Sequence, residues 1–351
     1  MKIAIDVSPL SSGHSVRGVG FYLTNLLDGM KKYYPENEYV EFTNRNQIPP
    51  DVDVIHYPYF DPFSITLPIN TNNKVIVTVH DLTPIVLPFL FPVGIKGKLF
   101  WQLQKYLLKK TKVIITDSLS SKKDIVKLIG INDKQVESIY LAQPEHFRKI
   151  EEKNILQKVK TKYNLPDKFS LYVGDVTPNK NILNAAKAAI LTDIPLVMVG
   201  KALIDDSIDL NHPWTKDVAA VRALAKENTD KIILLGFVPN EDLVAIYNLA
   251  SVFVMPSLYE GFGLPILEAM SCGCPVITSE RGSLPEVAGS AALYVNPENT
   301  ESIAEGIKKI FNDLSLRKKL QKGGIIQANK FSWQKTAEET IKAYKKLLEQ
   351  K

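Results

Sequence analysis

Short apolar runs of three to six residues recur along this chain with longer amphipathic stretches between them, and that alternation constrains the fold more than any other feature. In the first half the runs lie at 2–7, 39–42, 52–56, 75–80, 113–116 and 136–140, with helical patterns at 21–32, 97–110 and 120–129. Runs this short and this apolar read as strands covered on both faces, and the helices between them are the crossovers that parallel strands require. A polar, charge-rich stretch at 144–162 interrupts the pattern and reads as an inter-domain connection. The alternation then restarts, with strands at 170–173, 195–199, 231–235, 252–255, 275–278 and 292–294 and helices at 181–191, 214–227, 241–250 and 265–271. The expectation is an α/β protein of two Rossmann-like, doubly wound domains in series, 1–163 and 164–331, and the 351 residues give each enough chain for its own core. Residues 300–351 read as helical with a break at Gly323-Gly324. A last helix, 332–351, begins at the capping residue Ser332 and has the first domain as its candidate packing partner.

Composition narrows the function classes. Cys272 and Cys274 are the two cysteines, separated by one glycine, so no disulfide framework is present and a reduced, cytoplasmic setting is the expectation. The net charge of +5 divides unevenly: residues 1–165 hold 22 Lys and Arg against 16 Asp and Glu, the remainder 21 against 22. Neither half shows the dense basic stripe with interleaved aromatics of a nucleic-acid binder. The first apolar run is broken by Asp6, and no window approaches the ~20 apolar residues of a spanning helix. Between Lys96 and Lys112 lie six lysines, three aromatics and no acid. That pattern fits a sheet-covering helix with solvated lysines, or a helix lying on an anionic membrane surface as a peripheral contact on its inner face.

The most informative segment is 256–286, PSLYEGFGLPILEAMSCGCPVITSERGSLPE. A buried strand ends in the turn Glu260-Gly261-Phe262-Gly263, and a helix starts near Leu264 with Pro265 in its first turn. A glycine turn feeding a helix amino end offers free N–H groups and a positive dipole to a phosphate. Glu268 lies on that helix among Leu264, Ile266, Leu267, Ala269 and Met270, where a carboxylate must find a hydrogen-bonding partner. Ligands of such sheets bind beyond the carboxyl ends of the strands, which with two facing domains is the cleft between them.

Glu260 and Glu268, eight apart within EGFGLPILEAMSCGCPVI and followed by SLPEVAG, resemble the signature of retaining glycosyltransferases of GT-B architecture, family 4. The resemblance extends over nearly the whole chain. It implies Glu260 at the transferred sugar, Glu268 on the ribose of a nucleotide-diphosphate sugar, and the backbone of Gly261, Phe262, Gly263 and Leu264 on the sugar and diphosphate. It also implies Lys180 on the diphosphate, whereas Asp175 stands where the family usually has Arg. By the same resemblance Gly18 and Gly20 of the amino-terminal loop line the cleft near the donor diphosphate and the acceptor, the turn at Val238 lies near the nucleobase, and His80 lies near the transferred sugar and the acceptor. Asp81, Ser118 and Arg17 are weaker acceptor-side candidates.

The five histidines are scattered and the two cysteines stand without further ligands, so no zinc constellation emerges, and the family match implies catalysis without a metal or other cofactor. The donor is a co-substrate, of UDP or GDP type. The expected activity moves a hexosyl group, mannosyl or glucosyl, to a saccharide or lipid-linked saccharide acceptor in cell-surface glycan assembly. A nucleotide-sugar epimerase and a non-catalytic nucleotide-sugar-binding protein are the competing readings, the second suggested by Asp175.

Overall fold

A computed structural model describes residues 1–11, 18–68 and 74–349. The chain divides into two compact units, one made of Met1–Pro88, Pro92–Ala142 and Phe331–Lys351, the other of Phe89–Phe91 and Gln143–Lys330.

In the first unit six parallel strands, β1 (Lys2–Asp6), β2 (Glu38–Phe42), β3 (Val54–Tyr57), β4 (Val75–Thr78), β5 (Val113–Thr116) and β6 (Val136–Ser138), form one sheet in the order β2-β1-β3-β4-β5-β6. Every residue of β3, β4 and β5 is buried, which is why these runs carry no polar alternation, whereas the edge strand β2 is half exposed. The helix Trp333–Glu349 belongs to this unit and packs on Gly18–Tyr33. Thr336 Oγ1 donates to the Tyr140 carbonyl at 2.7 Å, and a Cβ built on Gly29 would stand 3.2 Å from the Trp333 carbonyl oxygen. The two helices thus approach through a glycine.

The second unit repeats the plan with β7 (Ser170–Val173), β8 (Leu196–Val199), β9 (Ile232–Gly236), β10 (Val252–Met255), β11 (Val276–Ser279) and β12 (Ala292–Val295), ordered β12-β11-β10-β7-β8-β9 and all parallel. Strand order reverses between β7 and β10. The chains leaving these neighbours turn to opposite faces, which opens a crevice at their carboxyl ends.

Two expectations need correction. The charged stretch before 163 is part of the second unit: helix Lys153–Lys162 packs on Asn240–Leu249, and Asn248 Oδ1 accepts from Ile150 N at 2.8 Å. Gly323-Gly324 break nothing, because helix Leu314–Ala328 runs through them. A Cβ on Gly324 would lie 3.1 Å from Met270 Cγ, so the glycine there provides room for close packing on helix Leu264–Ser271. The break falls at Asp313, whose side chain accepts from Leu316 N and caps the new helix. Among the described residues no helix is long and apolar enough to cross a membrane.

Gly29→Val should destabilise the first unit by about 1–3 kcal/mol through overpacking against the Trp333 backbone; urea unfolding followed by tryptophan fluorescence measures it.

Candidate active site

The crevice between β7 and β10 is assembled by side-chain amides. Asn181 sits in a left-handed conformation (φ 58°) and donates from Nδ2 to the Pro256 carbonyl at 2.9 Å and the Pro297 carbonyl at 2.7 Å. Asn179 donates to the Tyr259 carbonyl at 2.9 Å and accepts at its own carbonyl from Leu258 N at 2.7 Å. The loop after β7 is thereby tied to the loop after β10. Lys180 stands between these two asparagines, and its Nζ lies 2.6 Å and 2.8 Å from the two carboxylate oxygens of Glu260. Glu260 is buried at 5% exposure, so the pair is a largely desolvated ion pair.

The Glu260 backbone is held as firmly as its side chain. Ser283 Oγ donates to the Glu260 carbonyl at 3.0 Å and is also 2.8 Å from the Phe262 carbonyl. Gly282 (φ 58°) comes so close that a Cβ there would meet the Glu260 carbonyl oxygen at 2.6 Å. Gly261 and Phe262 are buried, and Gly263 (φ 102°) takes the left-handed conformation that starts helix Leu264–Ser271, whose first residue is half-buried.

Glu268 lies on this helix, and its Oε2 accepts from the buried Tyr247 hydroxyl at 2.9 Å. Burial pushes the Glu268 carboxyl up to about 7, with the Tyr247 hydrogen bond opposing the shift. Its folded value exceeds its ordinary one, so ionising it opposes folding: stability from this group falls as pH rises from 4.5 to about 7 and is level above that. Asp175 is exposed, and its carboxylate accepts from Val176 N at 2.8 Å. Val238 is buried at the end of β9, beside the 62% exposed Phe237.

The remaining candidates lie in the first unit. His80 follows β4 and pairs through Nδ1 with Asp117 Oδ2 at 2.8 Å, while its Nε2 lies 3.2 Å from the Pro58 carbonyl. Asp81 Oδ1 accepts from Thr83 N at 2.7 Å and forms a local turn. Ser118, expected at the acceptor side, is fully buried, and its hydroxyl accepts from Ser121 N to cap helix Leu119–Ile125. Gly18 opens helix Gly18–Tyr33 at the surface and Gly20 is buried within it. Arg17 lies outside the described residues.

Sequence reasoning passed over Asp117, Tyr247, Gly282 and Ser283. Asp117 sits one residue beyond β5, the same kind of strand-end signal that drew attention to His80. Tyr247 is 21 positions from Glu268 on another helix, and no local spacing connects them.

Residues 154–327 match the family described as glycosyl transferases group 1. The chain is also 34% identical over 286 residues to the O-antigen chain mannosyltransferase B of Escherichia coli, covering 78% of this chain and 71% of that one. This chain belongs to the group 1 glycosyltransferases. A serotype-specific mannosyltransferase of Escherichia coli is 29% identical over 300 residues, 82% of this chain, and this chain spans about a third (36%) of that protein's length. HepE from Anabaena, in complex with UDP and glucose, superposes with a TM-score of 0.72 at 17% identity, covering 97% of this chain and 98% of that one. The two six-stranded parallel sheets of this glycosyltransferase are therefore the GT-B fold.

Lys180→Met leaves the buried Glu260 carboxylate unpaired and should destabilise the glycosyltransferase by about 3 kcal/mol. Adding Glu260→Gln should recover a substantial part of that loss, and denaturant melts of the single and double variants measure the difference.

Proposed function

We propose that the second unit binds a nucleotide-diphosphate sugar and that the chain transfers its hexosyl group, mannosyl in preference to glucosyl, to a saccharide or lipid-linked saccharide with retention of anomeric configuration. The observation that carries this reading is the convergence of Lys180, Glu260 and the Gly263 helix start at the switch between β7 and β10. The mannosyl preference and the place in cell-surface glycan assembly draw on the O-antigen mannosyltransferase similarity.

In this reading the acceptor hydroxyl oxygen bonds to the anomeric carbon on the face from which the diphosphate departs. The bond from that carbon to the phosphate oxygen breaks, and the acceptor proton passes to the leaving diphosphate. Negative charge grows on the diphosphate, and Lys180 with the backbone N–H groups at the helix start supplies the opposing field, without a metal. The diphosphate competes with Glu260 for Lys180, which releases the Glu260 carboxylate toward the sugar hydroxyls. Glu268 in its ionised form accepts from the ribose hydroxyls. The reading assigns His80 of the first unit to the reacting sugar and acceptor, Gly18 and Gly20 to the donor diphosphate and the acceptor, and Asp81 to the acceptor.

Donor affinity should fall as pH drops below about 7, approaching tenfold per pH unit, because ribose binding draws on ionised Glu268. Glu268→Gln should flatten that dependence. Calorimetry with GDP-mannose and UDP-glucose from pH 5.5 to 8.5 checks both, and absence of binding to any nucleotide-diphosphate sugar refutes the reading.

A cytoplasmic protein with peripheral contact at the inner membrane face is part of this reading, and helix Ile95–Lys110 supports the membrane contact: Ile95, Leu99 and Tyr106 are 80%, 64% and 54% exposed beside Lys96, Lys98, Lys109 and Lys110. Co-sedimentation with phosphatidylglycerol vesicles should be strong at low salt, weak at high salt, and lost on Leu99→Glu.

A further inference from the structure

We infer that Asp117 is a positioning residue for His80, and that the two side chains hold one proton between them so that His80 presents a hydrogen, not a lone pair, at Nε2. For its use in catalysis this rests on the transferase reading above; the proton arrangement itself does not.

The atoms around the ring fix where its hydrogens sit. His80 Nε2 lies 3.2 Å from the Pro58 carbonyl oxygen, which only accepts, so Nε2 carries a hydrogen. Nδ1 lies 2.8 Å from Asp117 Oδ2. Either the carboxylate is ionised and accepts from Nδ1–H, or the carboxylic acid donates to a bare Nδ1. Both forms place a single proton in that gap, and neither leaves a free imidazole lone pair.

Burial makes the sharing strong. The Asp117 side chain is 6% exposed and that of His80 18%. Asp117 Oδ1 finds no hydrogen-bond partner among the described residues, so its negative charge leans on the neighbouring ring. Burial alone pushes His80 down, but the Asp117 charge and hydrogen bond, with Asp81 adding to them, outweigh it and hold His80 above its ordinary value. Burial likewise raises Asp117, against the pull of His80. Among the described residues, the other titratable groups acting on the ring are Tyr22 and His56. Tyr22 packs edge-on at 4.7 Å and 86°. His56, which burial holds down to about 3, stays neutral and adds no competing charge.

The ring is also braced from below. Tyr22 Oη lies 3.1 Å from Thr78 Oγ1, Thr78 Oγ1 lies 2.7 Å from His56 Nε2, and His56 Nδ1 lies 2.8 Å from Tyr344 Oη. This buried chain reaches from the helix Trp333–Glu349 to the Tyr22 ring that packs against His80. A substrate oxygen replacing the Pro58 carbonyl therefore meets a fixed donor, which suits a sugar oxygen or a phosphoryl oxygen and excludes proton abstraction by His80.

Nitrogen-15 NMR of the full chain tests this, with His80 assigned by the resonance lost in His80→Gln. The ring should titrate with a midpoint above 6.5, both nitrogens carrying a proton below it, Asp117→Asn should lower that midpoint by about one unit or more, a tenfold change in proton affinity, and Asp117→Glu should restore it. A wild-type midpoint at or below 6.5, or one unmoved by Asp117→Asn, overturns the proposal, and the wild-type titration decides alone where the variant does not fold. If the chain is a transferase, kcat should fall as pH rises through the same midpoint and Asp117→Asn should move that limb by the same amount, while KM for the donor stays unchanged. A kcat limb that ignores Asp117→Asn overturns the catalytic role. A chain that binds no donor at all refutes the transferase reading and leaves the protonation of the pair, as read by NMR, untouched.

Discussion

The buried ion pair between Lys180 and Glu260 is the interaction around which the second unit's site is organised. Two opposite charges with most of their water removed are stable only at short range and in fixed geometry. The surrounding structure supplies that geometry. Asn179 and Asn181 bracket the lysine and tie its loop to the chain leaving β10, while Ser283 and Gly282 close around the glutamate backbone. A left-handed asparagine, a left-handed glycine and several buried carbonyl acceptors are each unfavourable or demanding alone. Together they give one rigid corner at the point where strand order reverses.

A second constraint acts through the helix that starts at this corner. Its first turn is set by Gly263 and its body is pressed by Leu314–Ala328, which approaches closely because Gly324 lacks a side chain. Glu268 is carried on the pressed helix and meets Tyr247 from a neighbouring one. Its raised carboxyl value follows from that packing, since the protein has one hydroxyl donor to offer it where water would offer several. The group 1 glycosyltransferase thus keeps a carboxyl that changes charge near neutrality on an otherwise apolar helix.

Much of this was legible in the residues. The twelve strands of the described residues lie where the short apolar runs predict them, and for β3, β4 and β5, buried throughout, cover on both faces leaves little freedom of composition. Glu260, Glu268 and the glycine turn were readable because they share one contiguous segment. What stayed hidden depends on contacts between distant positions. Gly323-Gly324 resembled a helix break, since sequence shows the weak propensity of glycine but not the partner helix that needs the space. Ser118 resembled a site residue because a strand-end serine looks the same whether it meets a ligand or caps a helix. The charge of 144–162 suggested a linker, yet a polar helix can pack along one face and leave the rest in water. Asp117 was missed although its place beyond β5 mirrors that of His80 beyond β4, since the pairing of their side chains depends on parallel neighbours 37 positions apart.

The route of the chain has a consequence for how the protein is made. The second unit is almost contiguous, Gln143–Lys330, whereas the first is completed only by Phe331–Lys351. Tyr344, fully buried against His56, comes from that last helix. The first sheet, made by residues 2–138, therefore lacks part of its core until Phe331–Lys351 has been synthesised.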